Sequence, residues 1–103
     1  MSKDSRHPSK KEEALEHLRK AIEMLDKSLS TYPDDDVYTE LRERVVDLKN
    51  AITEQWPLPE DDEIAIRLNW HVLMNVDDYN PELGQEIGAA CVLVIDASLA
   101  DKR

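Results

Sequence analysis

The sequence predicts an all-α protein, a small four-helix bundle of two antiparallel helical hairpins. Its 103 residues, 41% of them hydrophobic, suffice for one small core and are too few for a large catalytic architecture such as a TIM barrel. In several segments the apolar residues recur at steps of three and four, which is the spacing of an amphipathic helix. Short connections containing proline or acidic residues separate those segments, and short connections favour antiparallel neighbours.

The chain divides into a tail and one domain. Residues 1–9 contain Lys3 and Arg6 but no Leu, Ile or Val, so we expect a disordered basic tail. Ser9 is followed three positions later by Glu12, which is the spacing of a capping box at the start of a helix. Residues 10–103 are therefore predicted to form a single helical domain that begins at about residue 10.

Two amphipathic helices are predicted to form the first hairpin. The first carries an apolar stripe made of Ala14, Leu15, Leu18, Ala21, Ile22, Leu25 and Leu29. It ends at Tyr32-Pro33, because the residue before a proline is disfavoured in the α conformation. An acidic turn, Asp34 to Asp36, then supplies an N-cap. The second helix is predicted from about Val37 to Gln55, with one apolar face made of Val37, Leu41, Val45, Leu48 and Ile52.

The segment from Ile64 to Val76 has an ambiguous pattern. Every second residue is apolar, and such alternation is typical of a half-buried strand. A strand of 13 residues would be unusually long, no second strand candidate exists to pair with it, and the preceding acids, Glu60 to Glu63, suit a helix N-terminus. We therefore predict a helix that is apolar on most of its circumference and central in the bundle.

The fourth helix has a well-marked start. Asn80 is a favourable N-cap, Pro81 suits the first helical position, and Glu82 places an acid in the first turn. Its inner face is predicted to hold Leu83, Ile87, Cys91, Val94 and Ser98. Gly84 and Gly88 leave a shallow groove along this helix, which we expect to serve close helix packing within the chain.

The charge distribution predicts a basic protein partner rather than a nucleic acid. The chain has 13 Lys and Arg against 23 Asp and Glu, a net charge of -10, and Arg67 is the only basic residue between Asn50 and Asp101. An anionic surface disfavours binding to a phosphate backbone and favours electrostatic steering of a cationic protein. The sequence therefore predicts no nucleic-acid partner.

The sequence also predicts a cytoplasmic protein. Met1 to Lys11 lacks the apolar region of a signal peptide, and no stretch approaches the roughly 18 apolar residues that span a bilayer. Cys91 is the only cysteine, so no disulfide can form within the chain, as suits a reducing compartment. We expect no membrane partner.

The residues that could carry chemistry do not form a recognisable catalytic set. His7, His17 and His71 are far apart in the sequence and do not belong to a motif with a serine or cysteine nucleophile. Glu13 lies four positions before His17, but a metal site needs further ligands at matching spacing. Cys91 lies in an apolar run, which predicts a buried thiol. We therefore expect no enzymatic activity, no metal and no cofactor.

Binding is the remaining class of function. Three acidic runs fall at the predicted helix connections, and two of them lie beside a large aromatic residue, Trp56 or Tyr79. Interfaces draw much of their affinity from buried aromatic residues, while charges set orientation and association rate. The candidate partner-binding residues are Asp34, Asp35, Asp36, Trp56, Glu60, Asp61, Asp62, Asp78 and Tyr79. Alternatively, these acids cap helices and keep the protein soluble, because each run also lies where an N-cap is needed.

The order of these motifs resembles a known family. A helical hairpin broken at Tyr32-Pro33, a third apolar helix, and the segment Val76-Asp77-Asp78-Tyr79-Asn80-Pro81-Glu82-Leu83 opening a last helix are similar to small immunity proteins of type VI secretion effectors. The resemblance is strongest to those that neutralise NAD(P)-glycohydrolase toxins, and it covers residues 12–96. It implies a cytoplasmic antitoxin that binds the C-terminal toxin domain of an effector, occludes its active site and protects the producing cell.

Two other classes of function remain open from the sequence. An acidic DNA mimic could block a nucleic-acid-binding protein, and regular spacing of the acids would favour that function. The acids cluster at helix connections instead. A helical adaptor or secretion chaperone could bind an amphipathic helix in the groove at Gly84 and Gly88, and a homodimer with an open apolar groove would favour that function.

Overall fold

Four helices make up the fold. A computed structural model describes residues 9–59, 62–76 and 80–100, and within these ranges it contains no β-strand. The helices are α1 (Lys10–Thr31), α2 (Asp36–Glu54), α3 (Ile64–Asn75) and α4 (Pro81–Ala100). The predicted all-α four-helix bundle is confirmed. The basic tail predicted at residues 1–9 lies outside the described residues, except for Ser9.

Side-chain caps fix three of the helix starts where the sequence predicts them. Ser9 and Glu12 form both hydrogen bonds of a capping box at α1, each at 3.1 Å. Asp35 caps α2 by accepting a hydrogen bond from the Tyr38 backbone N–H at 3.0 Å. Asn80 Oδ1 accepts a hydrogen bond from the backbone N–H of the third α4 residue at 3.3 Å. Each cap gives a partner to a backbone donor that the helix itself leaves free.

The inner faces of all four helices meet in one core. Its fully buried large residues are Leu18, Leu25, Leu41, Val45, Leu48, Ile52, Leu68, Val72, Val76, Leu83, Ile87 and Val94. α1 has its most extensive contact with α4, which joins the two hairpins. The predicted inner face of α4 is confirmed, with Ser98 half-buried and donating its hydroxyl to the Leu58 carbonyl at 2.8 Å.

Contacts between the helices show that neighbours run antiparallel. Arg42 of α2 bonds Asp26 of α1 at 2.6 Å, near the end where α1 leads into α2. The Asn80 amide donates to the Tyr38 hydroxyl at 3.3 Å, so α4 begins beside the start of α2. The contact between Ser98 and Leu58 brings the end of α4 to the connection that follows α2. The connections α1–α2 and α3–α4 therefore lie at one end of the bundle, and α2–α3 lies at the other.

α3 is a helix, as predicted, but the expectation that it is central is wrong. It packs mainly against α4 and only lightly against α2, and within the described residues it has no substantial contact with α1. Because only two neighbours cover it, one side of this apolar helix is left at the surface. α1, which α2 and α4 both cover, is the better buried helix.

Candidate partner-binding surface

The first acidic connection combines one capping residue with two exposed carboxylates. Asp35 is half-buried and serves as the N-cap of α2, so its carboxylate has a structural role. Asp34 and Asp36 are exposed, and Asp36 lies in the first helical turn, where the helix dipole stabilises negative charge. Two of the three acids predicted here are thus accessible to a partner.

The second connection is partly built into the core. Trp56 is half-buried and packs against the core, and Leu58 is 4% exposed. Asp62 is exposed, and its carboxylate accepts a hydrogen bond from the Ile64 N–H at 3.1 Å, at the start of α3. Glu60 and Asp61 lie outside the described residues. Two of the predicted contacts at this connection, Trp56 and Asp62, lie in the described residues, and of these Asp62 is the exposed one.

The third acidic run is Asp77-Asp78, with Tyr79 beside it, and the candidate contacts Asp78 and Tyr79 lie outside the described residues. The neighbouring Asn80 is half-buried and caps α4. Since α2 has 19 residues and a helix rises about 1.5 Å per residue, some 28 Å separate its two ends. Asp34 and Asp36 lie at one end and Asp62 at the other. The predicted acidic contacts that the structure describes are therefore not brought together into one patch.

α3 carries an exposed apolar surface that is not among the sites predicted from the sequence. Its members, here called the α3 outer face, are Ile66, Trp70, Leu73 and Met74, with exposed fractions of 41%, 60%, 53% and 71%. On most soluble monomers large apolar side chains are exposed singly, so four within nine residues of one helix are notable. At the Ile66 end, this face borders an apolar cleft that is also lined by Leu58, Ile95 and Leu99.

The alternating pattern of α3 explains why this face exists. Residues two apart on an α-helix are separated by about 200° around the axis, so alternate apolar residues fall on opposite sides. Residues 64, 68, 72 and 76 lie towards the core, and residues 66, 70 and 74 lie on the opposite side. The pattern that is typical of a strand therefore produces, in a helix, two apolar faces of which one is buried.

The arginine of α3 and one arginine of the neighbouring helix α2 are both paired with carboxylates. Arg67 bonds Glu63 at 3.3 Å at the start of α3. On the α2 side, Arg44 bonds Glu40 at 2.7 Å, and this guanidinium lowers the pKa of the Glu40 carboxyl, with a smaller contribution from His71 of α3. Each of these pairs is neutral as a whole, so the negative charge of this part of the chain comes from its other acids, because residues 50–101 contain eleven Asp and Glu and the single Arg67.

The same pairing holds for every arginine in the described ranges. Arg19 pairs with Glu16 and Glu23 on α1, and Arg42 pairs with Asp26 across the first hairpin. His17, which the sequence places four residues after Glu13, instead contacts Glu86 of α4 at 2.7 Å. The described lysines take part in none of these pairs, so the net charge of -10 reflects the excess of 23 Asp and Glu over 13 Lys and Arg, with the described arginines alone engaged within the chain.

Comparison with known proteins finds no relative. No family model, no curated protein and no solved structure matches this chain. The resemblance to immunity proteins consequently stays a prediction from the order of motifs, and the surface described above is the main support for any function.

Other candidate groups contribute little to a site. Cys91 is fully buried on α4, and burial raises the pKa of its thiol to about 12. Among the described residues no three His, Cys, Asp or Glu side chains come together in a metal-binding group. Gly84 is buried, and Gly88 lies against Asn69 of α3, so the groove predicted at these glycines is used for helix packing. None of the described helices combines the length and apolarity needed to cross a membrane.

Proposed function

We propose that this protein is an immunity protein, which binds the C-terminal toxin domain of a type VI secretion effector in the cytoplasm of the producing cell and occludes its active site. The observation that supports this proposal is the excess of exposed carboxylates at the helix connections, together with the pairing of every described arginine inside the chain. The net charge of -10 likewise favours a basic protein partner, because the chain has 23 Asp and Glu against 13 Lys and Arg.

The proposed mechanism is occupation of a nucleotide-binding cleft by carboxylates. The resemblance implies a toxin that hydrolyses NAD(P), and a cleft that binds the phosphates of such a substrate is expected to be basic. Exposed carboxylates such as Asp34, Asp36 and Asp62 could take the place of those phosphates. Electrostatic attraction would also speed the encounter, which matters when a toxin must be neutralised as it arrives.

The two ends of the bundle are alternative sites for this contact. Asp34 and Asp36 belong to one end and Asp62 to the other, about 28 Å apart by the length of α2. A charge reversal at the end that contacts the toxin should weaken binding, and one at the opposite end should not. Asp34→Lys and Asp62→Lys therefore distinguish the two ends. Glu43→Lys, at an exposed position in the middle of α2, is the matched control.

The experiment that tests the function is co-expression with the toxin domain encoded beside this protein's gene. Bacterial growth and cellular NAD(P) are followed with the toxin domain alone and with both proteins. The proposal predicts that the toxin domain depletes NAD(P) and stops growth, that this protein restores both, and that the two proteins co-purify. If growth is restored although NAD(P) never fell, the toxin has another chemistry and the immunity function stands. If neither protection nor co-purification occurs, the immunity function is contradicted.

A further inference from the structure

We propose that the α3 outer face docks on the partner protein, with Trp70 inserted in an apolar pocket that lysine and arginine side chains surround. This inference rests on the proposed function, which identifies the partner as the toxin domain. It adds that the apolar part of the contact is made by the α3 outer face. None of the candidate contacts predicted from the sequence lies on this face.

The composition and spacing of the face suit a docking helix. Ile66, Trp70, Leu73 and Met74 occupy positions i, i+4, i+7 and i+8, the spacing by which a helix inserts side chains into a partner's groove. Tryptophan is among the residues most enriched at the centres of interfaces, and methionine adapts to irregular pockets. The face thus offers a large aromatic anchor flanked by flexible apolar side chains.

The opposite side of α3 holds this face in place. Leu68 and Val72 are each 1% exposed and are packed in the core. The outer residues are therefore presented by a helix that is already ordered. An interface that is formed before binding loses less conformational entropy than a segment that must fold on its partner.

The charges around the face indicate what kind of surface covers it. Asp62 is exposed at the start of α3, and none of the described ion pairs includes it. Arg67 and Arg44 form neutral pairs with Glu63 and Glu40, so the net charge of the half that contains α3 is set by its other acids, of which residues 50–101 contain an excess. A partner whose apolar pocket has a basic rim would satisfy both the apolar centre and the acidic surroundings.

A second copy of this chain is a poorer occupant, and so is the chain's own N-terminal segment. Residues 50–101, which contain α3 and α4, include eleven Asp and Glu and a single basic residue, so two copies meeting on this half would repel each other. Residues 1–8 contain one large apolar side chain, that of Met1. The charge pattern therefore favours a different protein with a basic surface.

The test is a binding titration between this protein and the purified toxin domain encoded beside its gene. Trp70→Ala removes the anchor, and Lys20→Ala is the control, because Lys20 is exposed in the middle of α1, away from α3 and from the acidic connections. We expect Trp70→Ala to raise the Kd at least about tenfold, as at an interface hot spot, and Lys20→Ala to leave it unchanged. Circular dichroism checks that both variants retain the helical content of the unmodified protein.

Salt and oligomeric state complete the test. Raising the salt concentration should weaken binding of the unmodified protein if a basic rim surrounds the pocket. Binding and protection that are unchanged by Trp70→Ala would overturn the docking face and leave the immunity function standing. Binding that Trp70→Ala weakens but salt does not affect would overturn the basic rim.

A homodimer that Trp70→Ala dissociates would show that a second copy covers the face. Failure of the unmodified protein to bind or protect would remove the proposed function and this inference with it.

Discussion

α1 and α3 are both apolar helices of one bundle, but they place their apolar residues differently. In α1 these residues recur at steps of three and four and fall on a single stripe, whose central members Ala14, Leu18, Ala21 and Leu25 are fully buried. In α3 they recur at steps of two and fall on two opposite sides. The comparison shows that the spacing of the apolar residues predicts how many apolar faces a helix has, and each such face needs a neighbour to cover it. The bundle covers one face of α3, and the other is available to a partner.

The two helices also differ in how the chain supports them. α1 has 22 residues, a full capping box, and neighbours on both sides in α2 and α4. α3 has 12 residues, its N-cap residue Glu63 makes no side-chain cap, and α4 is its main neighbour. α3 therefore depends on its buried side for stability, and its outer side is free to serve binding.

Thiol reactivity should show the largest contrast between an inner and an outer position. Cys91 is buried, and a thiol with a pKa of about 12 has over a thousandfold less thiolate at pH 8 than an exposed cysteine. The folded protein should therefore not react with a disulfide reagent. A Met74→Cys variant, changed at a position that is 71% exposed, should react at one thiol at once and at the second only after unfolding. Two fast thiols in that variant would contradict the burial of Cys91.

Leucine truncation on the two sides of α3 should separate stability from binding. Leu68→Ala removes a side chain that is 1% exposed and should lower the free energy of unfolding by about 2–5 kcal/mol. Leu73→Ala, at a position 53% exposed, should cost less than about 1 kcal/mol. Urea unfolding followed by circular dichroism measures both. Leu18→Ala of α1 should match Leu68→Ala, and equal losses at Leu68 and Leu73 would contradict the two-faced description of α3.

Capping variants should show that α1 and α3 begin in different ways. Ser9→Ala removes one hydrogen bond of the capping box and should lower the free energy of unfolding by about 1 kcal/mol. Glu63→Ala removes no side-chain cap, only an exposed pair with Arg67, and should cost less than about 0.5 kcal/mol. Thermal unfolding shows which of the two variants loses more stability. The reverse order would show that α3 depends on its first residues more than α1 does.

The smallest effect is expected at the ion pair between Glu40 and Arg44. Arg44 lowers the pKa of Glu40, so this carboxylate contributes stability above its unfolded pKa and loses that contribution as the pH falls through its folded pKa. Arg44→Gln should raise the pKa of Glu40 towards its ordinary value, which a carboxyl NMR titration measures. Arg67→Gln, which affects another pair, is the control. A Glu40 pKa that Arg44→Gln leaves unchanged would exclude Arg44 as the cause.

Local rules in the sequence were sufficient to predict most of the fold. Ser9, Asp35 and Asn80 are capping residues at the positions expected, because a cap is a contact between residues two or three positions apart. The second helix was predicted from about Val37 to Gln55 and runs from Asp36 to Glu54. Proline residues, capping residues and the spacing of apolar residues determine where a helix begins and ends through neighbours in the sequence. They can therefore be recognised without knowing which helices pack together.

The candidate site was less predictable, because it depends on which helices cover each other. The expectation that α3 is central requires other helices to cover its whole circumference. The sequence of α3 does not show how many helices pack against it. The acids beside Trp56 predict an anchor there, yet Trp56 packs against the core, whereas Trp70 is exposed. The missed signal was the alternation itself, which, once a helix is assumed, predicts two apolar faces.

The central claim is that the outer side of α3 is the surface that meets the partner. Amide hydrogen exchange of this protein, alone and with the purified toxin domain, locates the contact without any substitution. We predict that exchange slows most in Ile64–Asn75 when the toxin domain is bound, because docking stabilises the helix that it covers. Slower exchange confined to α1 or to the 32–36 connection, with α3 unchanged in a complex that does form, would contradict the claim.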